Sequence, residues 1–500
     1  MTSTRSAAAP TSSDSLGREP AAQQKSYLPW VAALALAAVA VNIVIRAAAS
    51  KGYYWADDYS HLLLSRRVPA HPTVLLDVWG RPLMTLAYGP AARLGDGAVR
   101  ATSLVLLAAT ATCCVAIVRA RRARWPLVAG LFLLAQPLTA RLGYSALPGT
   151  LFSFVLAAAL LLRARDRHGA ALLVAALLPL ARLEGLVVIG IWAVVLVVER
   201  RARLAPLLGA GMAAWAAAAA VAHGDLLWLL HKSPYGFLGT AYTRAGWRYL
   251  FVALPALAGP VAAGLVLMTL STRWRGDRLV AALTVGMLAF YWLSWGLPAF
   301  QTTVTPMYLV SVSVPLALCA HSFFTDMAEG RLRLRHMGIA VALAFALLSA
   351  SARLSAAVVV LAGAALVVER GLRQGRQAIA VGVVVACAAA SVALTTSLPL
   401  RGTARVGSRA AEHLGPRAAA VVASSDPAFD WYAGTTTFAA IPRFRGAVRR
   451  TAVGGLVLWD DGLGQRQVAA AQMLKWGFRP IWSGIDHGQR QVLWERTTAS

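Results

Sequence analysis

Nine residues near the start of the chain, Tyr53-Tyr54-Trp55-Ala56-Asp57-Asp58-Tyr59-Ser60-His61, gather two adjacent acids, a histidine and four aromatics. Carboxylates beside an imidazole suit a general base that strips a proton from a hydroxyl, and equally a single divalent metal site. On a helix His61, at i+4 from Asp57 and i+3 from Asp58, reaches either acid. The acids themselves diverge by about 100°, so only one can face a given pocket while the other supports it or sits at a helix terminus. Taken alone, the pair suits a solvated loop at least as well.

Two arginines offer complementary chemistry. Arg81, in Trp79-Gly80-Arg81-Pro82-Leu83, presents a planar and permanently charged fork that fits phosphate oxygens, or an anchor at headgroup level. In Arg182-Leu183-Glu184-Gly185 an arginine and a carboxylate share one turn. That turn reads either as a phosphate site oriented by Glu184 or as a self-neutralising pair capping a helical hairpin.

The elements that must position these groups are membrane helices. Of 500 residues 58% are hydrophobic and only 14% charged, which points to a polytopic membrane protein. The net charge of +27 does not imply nucleic acid, because the arginines cluster in short loops between apolar runs, as the positive-inside rule requires. Cys113, Cys114, Cys319 and Cys387 all fall inside apolar runs and form no CxxC pair, so neither a disulfide framework nor a zinc-thiolate site is expected.

Thirteen apolar runs predict thirteen transmembrane helices, over 28–49, 101–118, 126–140, 150–162, 170–181, 185–198, 204–222, 249–270, 279–297, 307–322, 337–351, 354–368 and 378–398. Residues 1–27 are expected to form a disordered cytoplasmic tail, 28–399 the transmembrane domain, and 400–500 a small extracytoplasmic α/β domain. Its strands are predicted at 418–423, 435–440 and 455–459 and a helix at 465–474. The fold class is thus an all-α polytopic membrane protein with a large first outer loop and an α/β appendage. With the N-terminus inside, Asp166, Glu199, Asp277, Asp326, Glu329 and Glu369 lie in cytoplasmic turns beside arginines. Asp57, Asp58, Asp77, Asp96, Glu184 and Asp225 remain on the outer side, where acids near hydrocarbon are costly and worth attention.

These features resemble the GT-C superfamily, the polyprenol-phosphate-sugar-dependent glycosyltransferases, and most closely its protein O-mannosyltransferase and aminoarabinose-transferase branch. The likeness is carried by Asp57-Asp58-Tyr59 just after helix 1, by Trp79-Gly80-Arg81-Pro82-Leu83, by Tyr88-Gly89-Pro90-Ala91-Ala92-Arg93-Leu94-Gly95 and by Arg100 at the start of helix 2. Asp58 stands where Glu is commoner, Arg81 replaces the usual lysine, and the turn Tyr144–Gly149 lacks an acid that many members carry. The resemblance implies an enzyme of the bacterial cytoplasmic membrane that moves a hexose or pentose from polyprenyl phosphate to a lipid, protein or polysaccharide on the extracytoplasmic face, with inversion. It implies Asp57 or Asp58 as the base and Tyr59, His61, Arg81, Arg182 and Glu184 as substrate-binding groups. His223, Asp225, His231, Lys232, Tyr235 and Arg244 are candidates for the acceptor path. A donor with one phosphate requires no cofactor, and a divalent ion at Asp57 and Asp58 is optional. The competing class, a transporter or flippase of a lipid-linked precursor, would call for paired repeats with broken helices and midplane charges. No such pairing is evident.

Overall fold

The computed structural model describes residues 27–50, 53, 56–77, 79–231, 277–296, 306–329, 376–396, 403–435, 441–486 and 489–498. Among these, four helices are long and apolar enough to cross a membrane: Leu28–Ala49, Asp96–Ala120, Ala202–His223 and Met307–Asp326. The predicted helices over 249–270, 337–351 and 354–368, residues 1–26 of the predicted tail and nearly all of the predicted strand over 435–440 lie outside the described residues. The expected total of thirteen helices therefore stays an expectation.

Helix α1 (Leu28–Ala49) has the bounds its apolar run predicts. The long loop that follows is itself helical. It contains α2 (Ala56–Arg67), a 3-10 turn (Pro72–Leu76) and α3 (Pro82–Leu94), and α4 (Asp96–Ala120) begins five residues before the apolar run does. Prolines account for most other differences. The run over 126–140 splits into α5 (Pro126–Leu134) and α6 (Pro137–Leu142), because Pro137 has no N–H for the ladder and starts a new helix instead. After α7 (Pro148–Ala164), the run over 170–181 divides into α8 (His168–Ala175) and the short α9 (Leu178–Ala181) at Pro179. Helix α10 (Gly185–Val198) matches its prediction, whereas the next run opens as a 3-10 segment (Ala202–Gly209) before α11 (Ala210–His223) and α12 (Trp228–His231). Helices α13 (Arg278–Gly296), α14 (Ser313–Ala328) and α15 (Arg376–Thr396) complete the described helical body. Its core is built around the buried rings of Phe132, Phe152, Trp192, Phe323 and Phe324. None of the four cysteines is in a disulfide.

The last hundred residues are α/β. They run α16 (Thr403–Leu414), β1 (Val421–Ser424), α17 (Pro427–Ala433), α18 (Ile441–Arg450), β2 (Leu456–Asp460), α19 (Leu463–Gln467), α20 (Ala470–Lys475), β3 (Phe478–Asp486) and β4 (Gln489–Arg496). The sheet order is β1-β2-β4-β3, with β1 and β2 parallel and the other pairs antiparallel. Strand alternation gives this sheet two faces. Val421, Leu456, Leu458 and Leu493 pack with Ala410 and Leu414 of α16 and Phe429 of α17. Val457, Trp459, Val492 and Trp494 pack with Phe444 and Val448 of α18 and Met473 of α20. Helix α17 belongs to both bodies, since its Ala428 and Trp431 join the core of the membrane helices. The α16/α17 face of the sheet is thus turned toward the helical body, and the α18/α20 face away from it.

Candidate active site

Helix α2 separates the two aspartates as helical geometry demands. Asp58 is fully buried, and its charge acts on the Tyr53 and Tyr88 hydroxyls. Asp57 keeps part of its surface open and lies in the field of the Arg81 and Arg182 guanidiniums. Burial pushes the Asp57 carboxyl up to about 6 even though both arginines pull it down. His61, one turn along the same face, is driven down to about 3 by burial and by the same two cations, so its ring is neutral at physiological pH. It stacks on Trp79 with centroids 6.0 Å apart, and its buried Nδ1 has no hydrogen-bond partner among the described residues.

Arg81 is held by a turn that its neighbours build. Asp77 Oδ1 accepts from the Trp79 and Gly80 amides at 2.7 and 2.9 Å, while Thr85 Oγ1 donates to the Gly80 carbonyl at 2.6 Å. Between Gly80 and Pro82, Arg81 adopts φ 59°, a left-handed conformation that costs a non-glycine residue about 1–3 kcal/mol. Strain of this kind persists where the surroundings over-determine it, and here it places a buried guanidinium beside Asp57. Asp77, one of the outer acids, thereby has a structural use.

Arg182 arrives from the other side of the site. Its guanidinium grips Glu184 through two bonds, Nη2 to Oε1 at 2.6 Å and Nε to Oε2 at 3.3 Å, and lies 4.9 Å from the Tyr308 ring centroid. Burial opposes ionisation of Glu184, yet the Arg182 pair prevails and holds its carboxyl below the usual carboxylate range, with Arg81 adding to the pull. The turn requires Gly185, because a Cβ there would overlap the Leu178 carbonyl and the Pro179 nitrogen of α9. Gly149, at the start of α7, packs against Val310, where a Cβ would stand 3.2 Å from Cγ1 and in ordinary contact with Arg182 Nη1 at 3.8 Å. Behind it, Tyr291 donates to the Tyr308 carbonyl at 2.9 Å and bonds Ser311 Oγ at 2.8 Å.

The structure therefore brings Asp57, His61, Arg81, Arg182 and Glu184 into one electrostatic cluster. Tyr59 does not face it. Its hydroxyl accepts from the Tyr53 amide at 3.2 Å and meets the Tyr432 hydroxyl at 3.2 Å, on the side of α2 toward the C-terminal sheet. Of the acceptor-path candidates, His223 stacks on Trp228 at 3.8 Å and Asp225 pairs with His231 at 2.9 Å. Lys232, Tyr235 and Arg244 lie outside the described residues. Sequence reasoning missed Tyr291 and Tyr308, which back Arg182 from a separate segment, and it missed the use made of Asp96. That carboxylate accepts from Trp431 Nε1 at 2.7 Å and from the Tyr432 and Tyr53 hydroxyls at 3.2 Å each. Nothing in the spacing of Trp431-Tyr432 signals a partner 335 positions away.

Two solved structures share this arrangement of elements. They are ArnT from Cupriavidus metallidurans bound to undecaprenyl phosphate and the same protein in the apo state. Each superposes with a TM-score of 0.60 at 14% identity, over 93% of this chain and 98% or 97% of the other. The chain has the fold of ArnT. The likeness expected from the sequence thus holds as a likeness of fold, over 93% of this chain. No family model and no curated protein sequence matches the chain.

Proposed function

We propose that this protein is an integral-membrane glycosyltransferase that moves a sugar from a polyprenyl-phosphate donor to an acceptor hydroxyl. Asp57 accepts the hydroxyl proton as the acceptor oxygen attacks the anomeric carbon. The bond from that carbon to the phosphate oxygen breaks, the electron pair leaves with polyprenyl phosphate, and a single displacement inverts the anomeric centre. Arg81 and Arg182 neutralise the charge that grows on the phosphate, Glu184 holds Arg182 in position, and neutral His61 hydrogen-bonds the sugar or acceptor. The observation that carries the reading is one carboxylate, with its pKa raised toward neutrality, in the field of two buried guanidiniums. The undecaprenyl phosphate bound by ArnT supports a lipid phosphate as the partner for those cations.

In this reading the Arg81 and Arg182 guanidiniums meet the charge on the leaving phosphate, so the step is written without requiring a divalent ion. The acceptor, whether lipid, protein or polysaccharide, and the choice between hexose and pentose rest on contacts beyond this cluster. The test is transfer from synthetic polyprenyl-phosphate sugars by reconstituted protein. Asp57→Asn is expected to lower kcat by at least about 100-fold while membrane insertion is unchanged. Full activity in that variant would sink the assignment.

A further inference from the structure

The sheet face turned away from the membrane helices carries a second cationic site, remote from Asp57. A cavity of about 330 Å³ is lined by Val448, Arg449, Trp476, Phe478 and Arg496. That volume is at the lower end of the about 300–1,000 Å³ found for small-molecule sites. Arg496 is buried and fixed: its Nε donates to the Thr498 carbonyl at 3.2 Å, and its Nη1 to the carbonyls of Arg449 and Thr451. Arg449 is exposed, stands 5.0 Å from the Trp476 ring centroid and has no ion pair among the described residues. Helix α18, IPRFRGAVRR, carries four arginines and no acid. The neighbouring carboxylate, Glu495, is drawn to Arg479 at 2.9 Å, and strand alternation puts that pair on the other face of the sheet from Phe478 and Arg496.

We propose that this cavity binds an anionic saccharide, a glycan unit bearing a carboxylate or phosphate. Guanidiniums supply charge-assisted hydrogen bonds to the anion, and the Trp476 ring supplies an apolar platform for the C–H face of a sugar. The same cations would also suit anionic lipid headgroups. The fold argues against that source, because the sheet and α17 stand between this cavity and the membrane helices. The proposal concerns binding and is independent of transfer.

Calorimetric titration of the full chain in neutral detergent, with a glucuronate-containing hyaluronan hexasaccharide as probe, tests it. Saturable binding is expected, weakened about tenfold or more by Arg449→Ala and by Trp476→Ala. Both side chains have exposed surface, so these variants are expected to keep the wild-type circular dichroism, and Arg449→Lys should bind between the two extremes. Asp57→Asn is expected to bind as wild type does, which separates this site from the transferase reading. Absence of saturable binding, equal binding of neutral maltohexaose, or unchanged affinity in the Ala variants would overturn the proposal. So would displacement of the probe by inorganic phosphate at equal concentration, since that reveals an ion site with no saccharide selectivity. Arg449-dependent flotation with phosphatidylglycerol vesicles would overturn it in favour of a membrane-facing patch.

Discussion

At the scale of single residues, the adjacent aspartates show what a helix does to a pair of like groups. Asp57 looks toward cations and Asp58 is buried toward tyrosines, so one acid is available for proton transfer and the other stays with the packing. The proposed base titrates near 6 because burial outweighs two guanidiniums. A base acts only when deprotonated, so kcat/KM is expected to rise with pH through about 6 and level off above it. Arg81→Gln removes one of the two cations that lower that value. The acid limb should therefore move to higher pH, in addition to any loss of phosphate binding. A kcat/KM profile measured from pH 4.5 to 9 on both proteins checks this, and an unmoved limb would exclude Asp57 as the group it reports. The divergence of the aspartates was readable from helical spacing alone. The identity of the acid facing the arginines was not, since that depends on where a residue 125 positions away, Arg182, comes to rest.

At the scale of elements, apolar continuity was a sound guide wherever a helix is bounded by charge, as for α1 and α10. It failed for α2 and α3, which mix polar and apolar residues. Helix α2 buries Asp58, Ser60, His61 and Ser65 together with Tyr59 and Leu62, and α3 exposes Leu86 and Leu94 while burying Thr85, Met84 and Tyr88, so neither shows a continuous apolar run. It failed for β4 for the opposite reason: Val492, Leu493 and Trp494 are all buried in a central strand covered on both faces, and the period-2 signal vanishes. The junction between α2, α4 and α17 was illegible because it depends on a contact far apart in sequence. Arg66 donates to the Ala92 carbonyl at 3.1 Å and lies 3.9 Å from the Trp431 ring, while Asp96 receives Trp431 and Tyr432. Asp96→Ala is expected to loosen α17 from the start of α4 by about 1–3 kcal/mol, because a partly buried indole N–H and two hydroxyls lose a charged acceptor. Limited trypsinolysis of the full chain should then cut the arginine-rich segment over 403–450 several-fold faster, with Trp431→Phe showing a smaller effect. Unchanged cleavage in both would mean that the apolar contacts of Ala428 and Trp431 hold α17 alone.

At the scale of the whole molecule, α17 is the piece through which the sheet and the membrane helices communicate, and its N-cap is an unusual acid. Asp426 sits just past the end of β1, caps α17 by accepting from the Ala428 amide at 2.9 Å, and accepts from Gln491 Nε2 of β4. Burial pushes its carboxyl up to about 7; the Ala428 amide and Gln491 oppose this, while nearby Asp460 and Asp430 add to it. A carboxyl whose pKa is raised on folding binds a proton more tightly in the folded than in the unfolded state. Its contribution to stability is therefore complete below about 4 and is lost as pH rises through about 7. Ionised Asp426 would cap α17 better but faces two other carboxylates from a buried site. Asp426→Asn keeps the acceptor for Ala428 and removes the titration, and its amide can pair with Gln491 Oε1, which has no partner among the described residues. Hydrogen exchange of the segments 421–433 and 456–460 in the intact protein, compared at pH 5.5 and 8.0 after correction for intrinsic rates, is the measurement. Wild type is expected to lose protection at the higher pH and the variant to lose much less. Equal losses would show that Asp426 does not control the pH response of the sheet. A loss that spread to α2 would show the clasp at Asp96 carrying that response toward Asp57.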